Sequence, residues 1–535
     1  INERPLAPQN LTATLDGFDV ILEWDAPLPF GAVDSATIHG GFSYALFLMD
    51  PTGTILKSPL SDTTTGYRLL PEPGKKYHTL RDTITNLTSG TYRWWVQAID
   101  QDFEGGILPA VETFDYEDPT FVDQGAAIFN GILPEGIYEG SVAWGDYSMD
   151  GFLDFVVAGQ GQSAPRTELY EYDPGQGRFT LNAAFSNQIT NLSQAHVSWA
   201  DYDHDGDVDL ALMGENSGGA PVTEIYENLG PGFLAGNKIS LTGHKNGQLA
   251  WGDYDNDGFP DLIVSGNTAN GAGSTASTIL YHNDEGAGFT AVNVIPTTLL
   301  ESAVEWGDLN QDGYLDLIAT GSPGSGAVFR LFMNDRDGTF TSIPVTGAVT
   351  MRSGDITVGD FNADGYLDIA STGAGAGGNN AVLQVLQNNG DSTFQQVLFS
   401  TLVGGAEGSV QFGDYNNDGY QDLIVSGRDS NLATGSRGVH VLRYDAGNGQ
   451  FVEEALAGAP FDPVDAGSTA AWGDYDQDGK LDVLLMGRTA ELPNQGTLRI
   501  YQNIDPGATT TPSAPLNLVS EVQGYEVLLS WDSPA

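Results

Sequence analysis

Residues 249–266 read LAWGDYDNDGFPDLIVSG. Within them Asp253, Asp255, Asp257 and Asp261 hold positions 1, 3, 5 and 9 of a nine-residue loop, and Gly258 holds position 6. Alternate oxygen-bearing side chains on a tight turn converge on one point, and a hard cation is what holds that many carboxylates together. The glycine supplies the positive φ that such a turn needs. The flanks are apolar, with LAW running into the loop and LIVS leaving it, which reads as two buried strands joined by the turn.

A lone loop of this kind is as readily an ordinary turn, because Asp and Asn bond their own backbone. Here the loop occurs seven times, beginning at Asp146, Asp201, Asp253, Asp308, Asp360, Asp414 and Asp474. A plain turn requires neither oxygen at four fixed positions nor glycine at the sixth, where Gly151, Gly206, Gly258, Gly313, Gly365, Gly419 and Gly479 stand. The side-chain ligands expected beside those of the third loop are Asp146, Ser148, Asp150 and Asp154 in the first and Asp201, Asp203, Asp205 and Asp209 in the second. The fourth offers Asp308, Asn310, Asp312 and Asp316, and the fifth Asp360, Asn362, Asp364 and Asp368. The sixth offers Asp414, Asn416, Asp418 and Asp422, and the seventh Asp474, Asp476, Asp478 and Asp482. An EF-hand is excluded: it needs Glu at position 12 and helices on both sides, whereas position 12 here is Val157, Leu212, Val264, Ala319, Ser371, Val425 or Leu485. Position 9 therefore has to supply the last carboxylate.

The repeat is larger than the loop. Successive first aspartates lie 55, 52, 55, 52, 54 and 60 residues apart, a period of propeller blades or another array. Each unit reads as four strands: one ending in the loop, the apolar run after it, a third such as TILYHND, and a fourth starting near Phe179, Phe233, Phe289, Phe340, Phe394 or Phe451. Four strands per unit fit a propeller blade better than a solenoid coil. The WGDYDxDGxxDLxxxG pattern resembles FG-GAP or VCBS repeats, the blades of the integrin α-subunit propeller and of many secreted microbial proteins. The resemblance runs from about residue 119 to 503. It implies an all-β fold with a seven-bladed β-propeller, and about seven Ca2+ ions as cofactor, each in the loop between the first two strands of a blade. It also implies a backbone-carbonyl ligand at position 7, which is Phe152, Asp207, Phe259, Tyr314, Tyr366, Tyr420 or Lys480. Three departures stand out: Ser148 and the three Asn at position 3 lower the ligand charge, and Val358 and Phe412 replace the tryptophan before the loop.

The expected domains are 1–115, 116–505 and 506–535. After the seventh loop the chain has a second and a third strand, then DPGATTTPSAP, which cannot be a fourth. Residues 120–133 precede the first loop at the spacing of the other fourth strands. They are expected to pair with the last unit around Leu498 to Gln502, closing the ring and removing two open sheet edges. Residues 1–115 carry VILEWDAP, YALFLMD and YRWWVQAID between turn-forming stretches, as a small β-sandwich does. This part resembles a fibronectin type III domain, which implies Trp24 as core tryptophan and Tyr92 as tyrosine-corner residue. Residues 514–535 repeat residues 7–28 almost position for position, with Trp531 in the place of Trp24. Two strands do not close a sandwich, so a piece of a longer protein is expected.

Composition points outside the cell. There is no cysteine in 535 residues, so bound metal takes the stabilising role of disulfides. The net charge is −51, of which 24 carboxylates are side-chain ligands of the loops. Even with seven divalent ions bound, a strongly acidic body argues against nucleic acid and anionic lipid as partners. No run of 18 apolar residues exists, so no membrane insertion is expected. The seven histidines are scattered, His204 at a non-ligand position of the second loop, and no catalytic constellation recurs. The expected function is thus an extracellular or cell-surface calcium-binding adhesion or structural module, not an enzyme, which contacts protein or glycan. A lectin and the propeller of a polysaccharide lyase are the alternatives. The partner-binding face is expected on the Gly/Ser/Asn-rich connections between second and third strands, with Arg166, Arg428, Arg437 and Arg488 as its rare positive groups.

Overall fold

The computed structural model describes the chain apart from residues 1–5, 17–18, 28–42, 52, 58–75, 78–79, 85–86, 88–89, 100–107, 117–120, 230–237, 271–272, 274, 293–294, 296, 376–380, 392, 400–404, 429–436, 455, 457–459, 466, 490–495, 505–515, 524–525 and 533–535. It divides into a large compact unit, Phe121–Tyr415 with Gly419–Asn503, and a second that takes in Ile1–Thr120, Asn416–Asp418 and Ile504–Ala535.

In the large unit every apolar run after a loop is a strand that begins at the position-9 aspartate: Asp154–Gln160, Asp209–Asn216, Asp261–Asn267, Asp316–Ser322, Asp368–Gly375, Asp422–Arg428 and Asp482–Arg488. These strands are buried almost throughout, because a neighbour pairs on each edge and side chains pack on both faces. Each pairs antiparallel with the strand before its loop, as Trp251↔Leu262 and Trp306↔Leu317 do, and with the third strand, as Leu262↔Tyr281 and Leu317↔Phe332 do. The third strands are Pro165–Asp173, Pro221–Tyr226, Ala276–Asn283, Val328–Asn334, Ala381–Asn388, Arg437–Asp445 and Gly496–Asn503.

Outer strands start where the aromatic residues predict in most units: Arg178–Leu181, Phe289–Val292, Phe340–Ile343, Phe394–Gln396 and Gln450–Glu453. The second unit differs. Phe233 lies outside the described residues, and the strand that pairs with Pro221–Tyr226 is the long Ile239–Gly252, whose second half serves as the first strand of the third unit. Five of the first strands are kinked by a bulge, and the residue inside it is at positive φ: Glu139, Gln194, Asn246, Glu301 and Ser353; Glu407 and Gly467, just before the sixth and seventh first strands, are at positive φ too. These residues and the strand positions after them line one cavity of about 630 Å³, to which all seven units contribute.

The two ends of the large unit meet. Phe121–Asp123 pairs antiparallel with the last strand, Phe121 opposite Asn503 and Asp123 opposite Tyr501. Of the described residues 121–133 only three are strand; beyond them the chain turns through a short 3₁₀ helix, Ala127–Phe129. That helix buries Ile128 and Phe129 in a core shared by first-unit residues such as Phe155 and last-unit residues such as Leu498. The part expected of the outer strand is taken by Phe121–Asp123 alone.

In the smaller compact unit, Gln9–Asp16, Asp19–Asp25 and Arg81–Ile84 form one sheet, and Ser43–Met49, Ile55–Lys57, Lys76–Tyr77, Gly90–Ile99 and Glu112–Tyr116 form another. Trp24 is buried and its ring lies 5.8 Å from Tyr44 on the other sheet, while buried Tyr92 stacks on Phe114 at 5.1 Å. Near the far end, Leu516–Gln523 and Glu526–Asp532 form a hairpin. Its register repeats that of the first hairpin, bulge included: Leu516↔Asp532 and Val519↔Ser530 correspond to Gln9↔Asp25 and Thr12↔Glu23. Among the described residues no helix is long and apolar enough to cross a membrane.

Candidate metal centres

The loops are built by backbone hydrogen bonds to their own aspartates. Position 1 accepts the N–H of the position-6 glycine in all seven copies, at 2.8 to 3.1 Å. Glycine is required there because φ lies between 85° and 98°. Position 4 is also left-handed, at φ 56° to 62°, although it is Met149, His204, Asn256, Gln311, Ala363, Asn417 or Gln477. The position-5 carboxylate accepts the N–H of position 7, for example Phe259 N to Asp257 at 2.9 Å.

Position 9 is the anchor. Its carboxyl is fully buried in all seven loops, and its Oδ1 accepts the N–H of Tyr172, Asn228, Asn283, Asn334, Asn388, Tyr444 or Asn503 on the third strand at 2.7 to 2.8 Å. In four loops Oδ2 takes the N–H of position 2, as Tyr254 does for Asp261 at 3.1 Å. Burial pushes these carboxyls up, to about 6 for Asp316, about 7 for Asp154, Asp261 and Asp368, and about 8 for Asp209 and Asp482; backbone hydrogen bonds pull the other way and the neighbouring aspartates add to the rise. A cation beside such a group would favour its charged form.

The donor set fits one. In the second, third and seventh loops, carboxylate oxygens of Asp201, Asp203 and Asp209, of Asp253, Asp255 and Asp257, and of Asp474, Asp476 and Asp482 lie within 4.8 Å of one another. Oxygens on a sphere of radius about 2.4 Å are separated by no more than this. Buried oxygens without a hydrogen-bond partner among the described residues include Ser148 Oγ, Asp201 Oδ1, Asp255 Oδ1 and Asp482 Oδ2. In the fourth loop Arg336 already bonds Asp312, at 2.8 Å, and holds that carboxyl below its ordinary range against the opposing effect of burial. In the fifth, the Asn362 amide donates to Asp364 at 2.9 Å. The Lys480 ammonium stands 3.6 Å from Asp478 in the seventh.

Two features of the third strand were not read from the sequence. An asparagine at its end, or in the second repeat just past it, clamps two repeats together: Asn228, Asn283, Asn334, Asn388 and Asn503 each donate from Nδ2 to the position-2 carbonyl of the preceding loop, at 2.7 to 3.2 Å. Where tyrosine replaces it, ring packing takes over, Tyr444 on Phe361 and, across the closure, Tyr172 on Tyr475. The recurring N in YENL, YHND, FMND, LQNN and YQNI was the available signal. The residue before it reaches the loop: Gln502 donates to Asp476 at 2.6 Å, and His282 Nδ1 lies 3.3 Å from Asp255.

The loops are also tied to each other. Asn256 and Gln311 donate to the carbonyls of Gly313 and Gly365 in the next loop, and Gln477 donates to Gly151, joining the last loop to the first. His204 is exposed, as expected, and stacks on Phe259 of the third loop at 4.5 Å. The glycine before the loop is explained by close approach: a Cβ on Gly473 would meet Trp144 at 2.6 Å, and one on Gly145 would meet Trp199 at 2.8 Å.

The arginines expected to be available on the connections are engaged. Arg166 pairs with Glu135 and Glu168, Arg428 with Glu407 and Asp465, and Arg488 with Glu139. On so acidic a body each guanidinium finds a carboxylate beside it. The side chain of Arg437 lies outside the described ones, as do His39 and His78. The inner cavity gathers groups that the sequence scatters, among them His196, Glu305 and Asp355. Burial lowers His196 to about 4 and raises Glu305 to about 7 and Asp355 to about 6.

Residues 146–212, 201–264 and 308–371 match the FG-GAP-like repeat. The chain thus carries FG-GAP-like repeats in an all-β body. No curated protein matches it. Among solved structures it is similar to a quinonprotein alcohol dehydrogenase-like protein of Bacteroides thetaiotaomicron, at 9% identity over 84% of this chain and 96% of that one, with a TM-score of 0.35. It is also similar to a NanB sialidase variant of Streptococcus pneumoniae, at 9% identity, covering 93% and 99%, TM-score 0.33. The Dos1 propeller is a third, at 9% identity, covering 94% of each chain, TM-score 0.26.

Proposed function

We propose that the large unit is a seven-bladed β-propeller whose loops bind about seven Ca2+ ions. We infer further that the chain is an extracellular adhesion or structural module in which fibronectin III-like sandwiches flank the propeller. The observation that carries the metal reading is the buried position-9 carboxylate, held by a third-strand N–H in seven loops and faced in the second and seventh by two further carboxylates within one coordination sphere. Oxygen-only donors around a flexible turn suit a hard divalent ion, and the residues that would hold it are the aspartates, Ser148 and the three position-3 asparagines. The ion would neutralise charge that the fold otherwise concentrates. Calorimetric titration of the metal-free chain with Ca2+, together with metal analysis, tests this; ions in fewer than half the loops at millimolar calcium would overturn it.

The adhesion reading is supported by the interlocked loops and clamps, which favour a rigid scaffold over a moving one, and by the sandwich modules beside it. Its partner is a protein or a glycan. Binding of the full chain to glycan arrays and to protein-coated surfaces, with and without chelator, checks it; no calcium-dependent binding to either class counts against it. One observation favours a second reading, a ligand-binding centre of lectin or lyase type: His196, Glu305 and Asp355 with shifted proton affinities share the inner cavity. Under that reading Glu305→Gln and Asp355→Asn abolish glycan binding while calcium-dependent melting persists.

A further inference from the structure

At the third-strand position that reaches into the loops, the seven repeats carry Glu171, Glu227, His282, Met333, Gln387, Arg443 and Gln502. Only the third repeat places an imidazole there. His282 Nδ1 lies 3.3 Å from Asp255 Oδ2 and 3.3 Å from Asp261 Oδ1, and the three donor atoms sit within 4.8 Å of one another. That nitrogen is buried and makes no hydrogen bond among the described residues, and the Asp255 Oδ1 beside it has no partner either. The Tyr254 ring, edge-on at 6.3 Å, borders the imidazole. The imidazole nitrogen and two carboxylate oxygens thus converge, the Asp261 Oδ1 also accepting the Asn283 N–H at 2.8 Å.

We propose that the third loop is a transition-metal site, selective for Zn2+ or a similar borderline ion over Ca2+, with His282, Asp255 and Asp261 as its ligands. Calcium takes oxygen donors, whereas imidazole nitrogen favours the later divalent metals. Donors on a tetrahedral ion with bonds of about 2.0–2.1 Å are roughly 3.3–3.4 Å apart, which is the spacing of Nδ1 from both carboxylate oxygens. Asp253 and Asp257 complete the negative surround. The inference rests on the loop being a metal centre as proposed above, but it assigns this one loop a different ion from the other six.

The test is equilibrium dialysis of the full chain against micromolar Zn2+ in the presence and absence of millimolar Ca2+, with both metals counted by mass spectrometry. The unaltered chain is expected to retain one Zn2+ that calcium does not displace. His282→Gln copies what Gln387 and Gln502 already are in the fifth and seventh repeats, so the fold is expected to hold; this variant should lose that ion, with affinity at least tenfold weaker. His204→Gln, at the exposed position of the second loop, should keep it. Equal zinc retention by the unaltered chain and His282→Gln overturns the proposal, as does zinc lost from the unaltered chain when calcium is added. Absence of calcium from all loops in the same measurement overturns the calcium reading instead, and leaves the zinc count to be judged on the calcium-free arm alone.

Discussion

Phe121→Ala is expected to destabilise the large unit by about 3–5 kcal/mol, the cost of emptying a phenylalanine site in a close-packed core. Phe121 is 3% exposed and is the buried side chain of a strand of only three residues, so it anchors that strand. Its ring lies 5.3 Å from Phe461, 5.8 Å from Trp472 and 6.0 Å from Tyr415, and such aromatic neighbours add to the area term. Its backbone pairs with Asn503, the residue that clamps the last strand to Tyr415. The neighbouring Val122 is 41% exposed, so Val122→Ala should stay within about 0.5 kcal/mol of the unaltered chain. Urea unfolding of the three proteins at saturating calcium gives the comparison, and hydrogen exchange at Leu498–Asn503 should accelerate in Phe121→Ala alone. If the two variants unfold within about 1 kcal/mol of each other, closure by this segment does not stabilise the repeats and the reasoning is wrong.

Chelation should lower the melting temperature of the large unit, because ions that bind only the folded loops add their binding free energy to folding; equal melting with and without chelator contradicts the calcium assignment. Asn334→Leu removes donors to the buried Tyr254 and Leu315 carbonyls, at 2.7 and 3.2 Å, and should cost about 2–4 kcal/mol by urea unfolding, with a value below 1 disproving the clamp. Glu305 and Asp355 stay protonated in the fold up to about pH 7 and about pH 6, above their ordinary 4.5 and 3.8, so the stability they contribute is present at acid pH and is lost as the pH rises through that window. Melting at fixed calcium between pH 4.5 and 8 should therefore fall less steeply for Glu305→Gln; an unchanged slope would show that Glu305 is not held neutral.

The sequence by itself determined the loops and the strands around them. A turn of nine residues is set by its near neighbours, so Asp at positions 1 and 5 and Gly258 and its counterparts at position 6 specify it wherever it lies in the chain, and the apolar run after position 9 specifies a buried strand. The hairpin at 516–532 was legible for the same reason, its register following from a sequence that matches residues 9–25. Tertiary structure decided what pairs across repeats. Asn283 meets Tyr202, Gln477 meets Gly151 and Phe121 meets the last strand only because neighbouring sheets stack and the ends join, which no local pattern encodes. Arg488 reads as a free cation until folding brings Glu139 beside it, and His282 reads as an isolated residue until its strand lies against the third loop. Turn geometry is a short-range property of the chain, whereas proton affinities, ion pairs and metal donor sets depend on side chains that only the packed sheets bring together.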